Sequence, residues 1–128
     1  MGYTFNKIVP GTIAEAEEKV RKQLAEEGFG VLTEIDVQAT IRKKLGEEMP
    51  AYKILGACNP HFAYRALQAE PLIGTMLPCN VIIRTTDKGE TEIAAVDPMA
   101  SMQAVENPDL ADIAGQVRDK LQQVIERV

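Results

Sequence analysis

The sequence contains no tryptophan, a single histidine (His61) and two cysteines (Cys58 and Cys79) among its 128 residues. It also lacks a glycine-rich phosphate loop, an ordered set of serine, histidine and aspartate, a C-x-x-C motif and a pair of suitably spaced carboxylates. The common classes of enzyme therefore gain no support from the sequence, and it predicts no cofactor.

A membrane segment is missing as well, because no apolar run approaches the roughly 20 residues that span a bilayer. The first residues lack the basic stretch followed by an apolar one that marks a secretory signal. Asn6 stands where a myristoylation signal needs serine or threonine. We therefore expect a cytoplasmic protein that has no membrane partner.

Excess positive charge is absent, since the formal net charge is −5 at pH 7. The densest basic cluster, at residues 42–44, is followed closely by Glu47 and Glu48, which cancel most of its field. This charge distribution argues against nucleic acid as a partner. In a reducing cytoplasm, the two cysteines are expected to be thiols rather than a disulfide.

What the sequence does contain is the composition of a globular protein, with 45% hydrophobic and 26% charged residues. Its length predicts a single domain over residues 1–128. Apolar periodicity and turn residues predict strands over 4–9, 29–35, 52–58, 79–86 and 91–96. Helices are expected to start at Thr12, Asp36, Asn59, Asp97 and Asn107, and residues 71–78 are expected to form a loop.

The arrangement of these segments indicates the fold. Asp87, Lys88 and Gly89 separate the last two strands and predict an antiparallel hairpin. The first and last helices are amphipathic and need a sheet face to cover. We expect an α+β fold with an approximately five-stranded, largely antiparallel twisted sheet, two long helices on one face and shorter helices. A half-covered sheet would leave apolar positions such as Ile82 or Val96 exposed on its other face, so we expect a homodimer.

The two cysteines lie in characteristic segments, residues 52–60 (YKILGACNP) and residues 77–81 (LPCNV). Ala66, Leu67, Pro71, Gly74 and the pair Asp97 and Pro98 complete the pattern. Over nearly the whole chain, this pattern resembles domain-of-unknown-function family 302, a set of small prokaryotic proteins. The resemblance implies a dimeric α+β protein and brings no established activity. His61 is not part of the family motif.

Cys58 directly precedes the predicted cap residue Asn59, so it lies at the electropositive start of a helix. A side chain directed at the helix amides would have a lowered thiol pKa and would suit a nucleophile, a metal ligand or an oxidation sensor. Otherwise, Cys58 is a small apolar residue at the end of a buried strand. Cys79 approaches Cys58 if their strands are antiparallel, the course we favour, and lies at the opposite end of the sheet if they form a parallel crossover.

Cys58 and His61 have the C-x-x-H spacing of half a metal site, and Cys79 is a candidate third ligand. Three methionines would suit monovalent copper or else fill the core: Met76, Met99 and Met102. Asp97 is expected to cap the turn that follows it, with a general base as the alternative role. Asn59 is expected to cap its helix in the same way.

The first functional hypothesis is a non-enzymatic, dimeric binding or sensing module for an unidentified small molecule. Its site would be formed by Cys58, Asn59, Pro78, Cys79 and Asp97. One alternative is a thiol-based redox protein or enzyme, with Cys58 as the nucleophile and Cys79 as the resolving thiol. The other is a soft-metal-binding protein that uses Cys58, His61 and Cys79.

Overall fold

The computed structural model describes residues 2–128 and contains one five-stranded sheet. In chain order, the strands are β1 (Thr4–Val9), β2 (Gly30–Asp36), β3 (Tyr52–Cys58), β4 (Cys79–Thr85) and β5 (Thr91–Val96). They lie side by side in the order β1-β5-β4-β3-β2, and every neighbouring pair is antiparallel. The predicted α+β fold with an antiparallel sheet is confirmed.

Five helices connect or follow the strands: α1 (Ile13–Glu26), α2 (Val37–Leu45), α3 (Pro60–Ala69), α4 (Pro98–Ser101) and α5 (Pro108–Arg127). The predicted capping box starts α1, because the Thr12 hydroxyl accepts from the Glu15 amide at 3.1 Å and the Thr12 amide donates to the Glu15 carboxylate at 2.9 Å. Helix α2 ends at Gly46, whose φ of 68° lies in the left-handed region that glycine adopts readily.

The core lies between the sheet and the layer formed by α1 and α5. Along β4, Val81 and Ile83 face this layer and are fully buried, whereas Ile82 and Arg84 alternate toward the opposite face and are half-buried. Helix α5 has buried residues at its expected apolar spacing: Leu110, Ile113, Ala114, Val117, Leu121, Val124 and Ile125. The inward-facing side chains of the strands and the apolar stripe of α5 therefore pack together in one core.

The segment between α3 and β4 differs from the predicted loop. Residues Pro71–Met76 form a short 3₁₀ helix, held at its ends by bonds from the Ile73 amide to the Glu70 carbonyl and from the Leu77 amide to the Gly74 carbonyl. Six residues are too few to display a helical period in the sequence, and Pro71 begins the segment where its missing N–H loses no hydrogen bond.

Helix α5 is the longest helix, with 20 residues, and charged residues stand between its apolar residues along the sequence. Across residues 2–128, no helix combines the length and the apolar character needed to cross a membrane.

Candidate functional site

The antiparallel pairing of β3 with β4 brings the two cysteines to the same end of the sheet. Ala57, the neighbour of Cys58, lies directly opposite Cys79 in the register. The structure thus has the antiparallel arrangement that we favoured, which brings the two cysteine motifs together, and not the parallel crossover that would separate them. The Leu77–Pro78 peptide bond that leads into β4 is cis.

A cavity of about 280 Å³ lies at this end of the sheet, between the strand ends and helices α3, α4 and α5. Four of the five residues that we expected to form a site line it: Cys58, Asn59, Pro78 and Cys79. The lining also includes Phe29, which directly precedes β2, Phe62 on α3 and Met102 at the end of α4. The candidate site is therefore a space in the apolar core that opens beside the cysteine motifs.

The lining of the cavity is almost entirely apolar. No charged side chain contributes to it, and Asn59 is the one residue of the lining with an amide or hydroxyl side chain, within the described range 2–128. A charged group placed there would lose its hydration without gaining a counter-ion, which is strongly unfavourable. The cavity therefore favours uncharged ligands.

The thiol of Cys79 is buried in this lining, with 8% of its surface exposed. Burial, and secondarily the nearby Cys58, raises the pKa of Cys79 from the ordinary value of 9.0 to about 11. Cys58 is only partly buried, and both cysteines are free thiols. Cys79 is therefore a neutral thiol at physiological pH and behaves there as a small apolar wall residue.

Asn59 differs from its predicted role. It precedes α3, but its side chain makes no capping hydrogen bond to that helix, so the prediction of an Asn59 cap is wrong. Instead, Nδ2 donates to the Glu27 carbonyl at the end of α1, at 3.3 Å. Gly28 has φ +85°, and a Cβ there would lie 3.2 Å from the Asn59 Nδ2. The turn after α1 thus holds the amide in place.

Asp97 lies outside the cavity lining, which includes its neighbour Pro98 instead. The Asp97 carboxylate caps α4 as predicted, since it accepts from the Met99 amide at 2.9 Å, and it also pairs with Arg118 Nε at 3.2 Å. These two partners account for its position at the end of β5. Asp97 therefore stabilises the fold here and does not line the cavity.

His61 is exposed on the first turn of α3 and is absent from the lining. Among residues 2–128, no group of three or more histidine, cysteine or acidic side chains is arranged to hold a metal ion. Of the three methionines considered, Met102 is buried in the cavity wall, whereas Met76 and Met99 are each 40% exposed.

Sequence reasoning missed the far wall and the mouth of the cavity. The far wall comes from α5, through Leu110, Ile113 and Val117, which the apolar stripe had placed simply in the core. The mouth includes Leu32, which lies at a β-bulge in β2, between Val31 and Thr33, and is 68% exposed. Periodicity predicts that a residue is buried, but it does not indicate that packed elements leave a space between them.

Comparison with known proteins gives a match over nearly the whole chain. The family model described as "Domain of unknown function DUF302" matches residues 5–128. The crystal structure of an uncharacterized conserved protein DUF302 from Bacillus stearothermophilus is similar, with a TM-score of 0.93 and 28% sequence identity over 99% of this chain and 98% of that chain. No curated protein matches the chain. Neither description states an activity or a ligand.

Proposed function

The chain belongs to the family of the domain of unknown function DUF302, and we propose that it is a cytoplasmic binding module for a small, uncharged, apolar molecule. The observation that supports this proposal is the cavity of about 280 Å³ with an uncharged lining, located where the two cysteine motifs converge. An apolar space of this kind in a tightly packed interior leaves its wall atoms without contacts, and a ligand would supply them.

The size of the cavity limits the ligand. An apolar cavity of about 150 Å³ is large enough to bind benzene. The present cavity of about 280 Å³ therefore suits a molecule of roughly two fused rings or a short branched hydrocarbon. Phe29 and Phe62 in the wall offer ring faces and edges for packing against an aromatic ligand.

The experiment that tests this function titrates the protein with naphthalene and follows backbone amide signals by NMR. We expect shifts at residues of α3 and α5 that line the cavity. Ala66, a buried wall residue, is replaced by leucine to fill the space, and Ala39, exposed on α2, is replaced by leucine as the matched control. Ala66→Leu should abolish the shifts and Ala39→Leu should keep them.

Filling a true cavity should leave the free energy of unfolding unchanged or increase it, whereas overpacking a full core lowers it by about 1–3 kcal/mol. Chemical denaturation of Ala66→Leu therefore checks the cavity independently of any ligand. Naphthalene shifts that persist in a folded Ala66→Leu protein would place binding elsewhere and refute the proposal.

The raised pKa of Cys79 supports a binding role over the thiol-redox alternative. A resolving thiol has to ionise in order to attack, and a neutral buried thiol does so rarely at physiological pH. A soft-metal site based on Cys58, His61 and Cys79 is disfavoured for the same reason, because thiols bind metals as thiolates, and because His61 lies outside the cavity lining.

We also propose that the module is a homodimer in which a second copy covers the sheet face opposite α1 and α5. Five strands about 4.8 Å apart and about 20 Å long give a face of roughly 500 Å², so that two such faces bury about 1,000 Å², which is about the minimum for a biological interface. Ile8 and Ile35 are 45% and 47% exposed on this face. Arg84 and Glu92 pair across its middle strands at 2.7 Å.

Light scattering after size-exclusion chromatography tests the dimer. Ile8→Lys should yield a monomer, because it places a charge inside the interface, while Leu72→Lys, a substitution of a 77% exposed residue in the 3₁₀ segment, should remain a dimer. A monomeric wild-type protein at micromolar concentration would refute this arrangement.

A further inference from the structure

Asn59 is an unusual wall residue for an apolar cavity. The residue is more than nine-tenths buried, with 8% of its surface exposed, yet its side chain makes no capping bond to α3. An amide side chain has two N–H donors and one carbonyl acceptor. In the described part of the chain, its hydrogen bond is the one from Nδ2 to the Glu27 carbonyl, which leaves one donor and the Oδ1 acceptor available.

Among residues 2–128, Gln23 Oε1 is the one side-chain oxygen or nitrogen that is fully buried without a hydrogen-bond partner. The unpaired Oδ1 of Asn59 therefore still borders accessible space, and an unpaired polar group in a mostly buried residue often marks a functional position. The neighbouring cavity is the space from which a partner can come, because the wall around Asn59 consists of apolar side chains and thiols. A ligand that offers both a donor and an acceptor at this point would match the two unused groups. A hydroxyl group does both.

We propose that the ligand is an aromatic or compact hydrocarbon molecule with one uncharged hydroxyl group, which pairs with the side chain of Asn59. This inference rests on the proposed function and adds the chemical class of the ligand and a specificity-determining residue. The ligand is uncharged because the cavity offers no counter-charge, and it has one polar group because the wall offers one polar side chain besides its thiols.

The position of Asn59 supports this role, because the amide is held before any ligand arrives. It lies at the junction between β3 and α3, and its Nδ2 is anchored to the end of α1. Preorganised hydrogen-bonding groups lose little freedom on binding and therefore contribute to selectivity. Phe29 directly follows Gly28, which lies next to this amide. Phe29 is buried and also lines the cavity, so its ring would contact the rings of the ligand.

The test compares two probes of nearly the same shape, naphthalene and 2-naphthol, by NMR titration of the full chain. We expect 2-naphthol to bind about 2- to 13-fold more tightly than naphthalene, the range that one neutral hydrogen bond provides. The side-chain Nδ2 signals of Asn59 should shift with 2-naphthol and stay in place with naphthalene. This side-chain measurement needs no substitution and so does not depend on a variant folding.

Asn59→Leu keeps the branched shape and the number of heavy atoms and removes the hydrogen bonds, so it should abolish the preference for 2-naphthol while naphthalene still binds. His61→Leu, at the exposed neighbouring position, is the matched control and should keep the preference. If both probes bind wild type equally and the Asn59 side-chain signals do not respond, this inference is overturned and the cavity remains a binding site. If neither probe binds, the proposed function itself fails.

Discussion

Alkylation of the two thiols tests whether the cavity wall is closed around Cys79. The perturbation is iodoacetamide at a series of pH values, applied to the wild type and to Cys58→Ser and Cys79→Ser. Burial holds the pKa of Cys79 at about 11 instead of the ordinary 9.0, and at pH 8 this difference leaves about 100-fold less thiolate. Cys58 is only partly buried, so the reagent can reach it.

The size of the effect can be bounded. A more basic thiolate is also more nucleophilic, by about tenfold over this interval of pKa. The net rate at Cys79 should therefore be at least about tenfold below that of an unfolded cysteine at pH 8. The buried position of the sulfur, with 8% of the residue exposed, lowers the rate further by limiting access of the reagent.

Mass spectrometry of the proteolytic peptides gives the rate at each cysteine, and the same reaction in guanidinium chloride supplies the unfolded reference. We expect the Cys79 rate to keep rising above pH 9, toward about pH 11, whereas the unfolded rate levels off near the ordinary pKa of 9.0. Equal rates at Cys79 in the folded and unfolded proteins at pH 8 would show that the wall is open and refute this reasoning.

The same burial links Cys79 to stability, because the folded protein holds its proton more tightly than the unfolded chain does. The stabilisation is complete below pH 9.0 and is lost as the pH rises toward about 11, by roughly 3 kcal/mol in total. Cys79→Ala should lack this part of the alkaline dependence. A wild-type protein and a Cys79→Ala variant with parallel stability profiles above pH 9 would contradict the assignment.

Two further predictions concern the sheet and its charges. Gly56→Ala should lower the free energy of unfolding by about 1–3 kcal/mol, because a Cβ there would overlap Thr33 Oγ1 and lie 2.7 Å from Pro78 Cγ; Gly115→Ala, in the middle of α5 where the nearest atom is 3.9 Å away, is the control and should be neutral or stabilising in the same denaturation assay. Burial opposes ionisation of Glu17, but hydrogen bonds from Lys53 and Arg21 outweigh it and lower the pKa of Glu17 below 4.5, so its stabilisation should be full above pH 4.5 and fade as the pH falls through the lowered pKa. Glu17→Gln should flatten this acid dependence in thermal unfolding, and an unchanged dependence would contradict the ion-pair account.

The strands and helices could be predicted from the sequence because their signals are local. The Thr12 and Glu15 capping box, the alternation along β4 and the hairpin at Gly89 each depend on residues that are close in the chain. Antiparallel pairing of β3 and β4 could be named as one of two courses, but the choice depends on how the intervening helix packs. Local sequence patterns therefore predict individual strands and helices better than they predict how those strands and helices pair and pack.

The site was only partly predictable, for reasons of tertiary structure. Asn59 was expected to cap α3, but the Glu27 carbonyl, 32 residues earlier in the chain, takes its amide instead. The apolar residues of α5 that face the cavity have the same periodicity as those that fill the core. An unfilled space is a property of how whole elements fit together, and no residue pattern encodes it.

The bulge at Leu32 also affects how the chain behaves in a crowded solution. Strand β2 is an edge of the sheet, and a flat edge presents a row of unpaired amides and carbonyls on which strands from other molecules can assemble. The extra residue between Val31 and Thr33 breaks the regular spacing of that row and twists the strand. Growth of the sheet into a continuous fibril is therefore discouraged at the same position that shapes the cavity mouth.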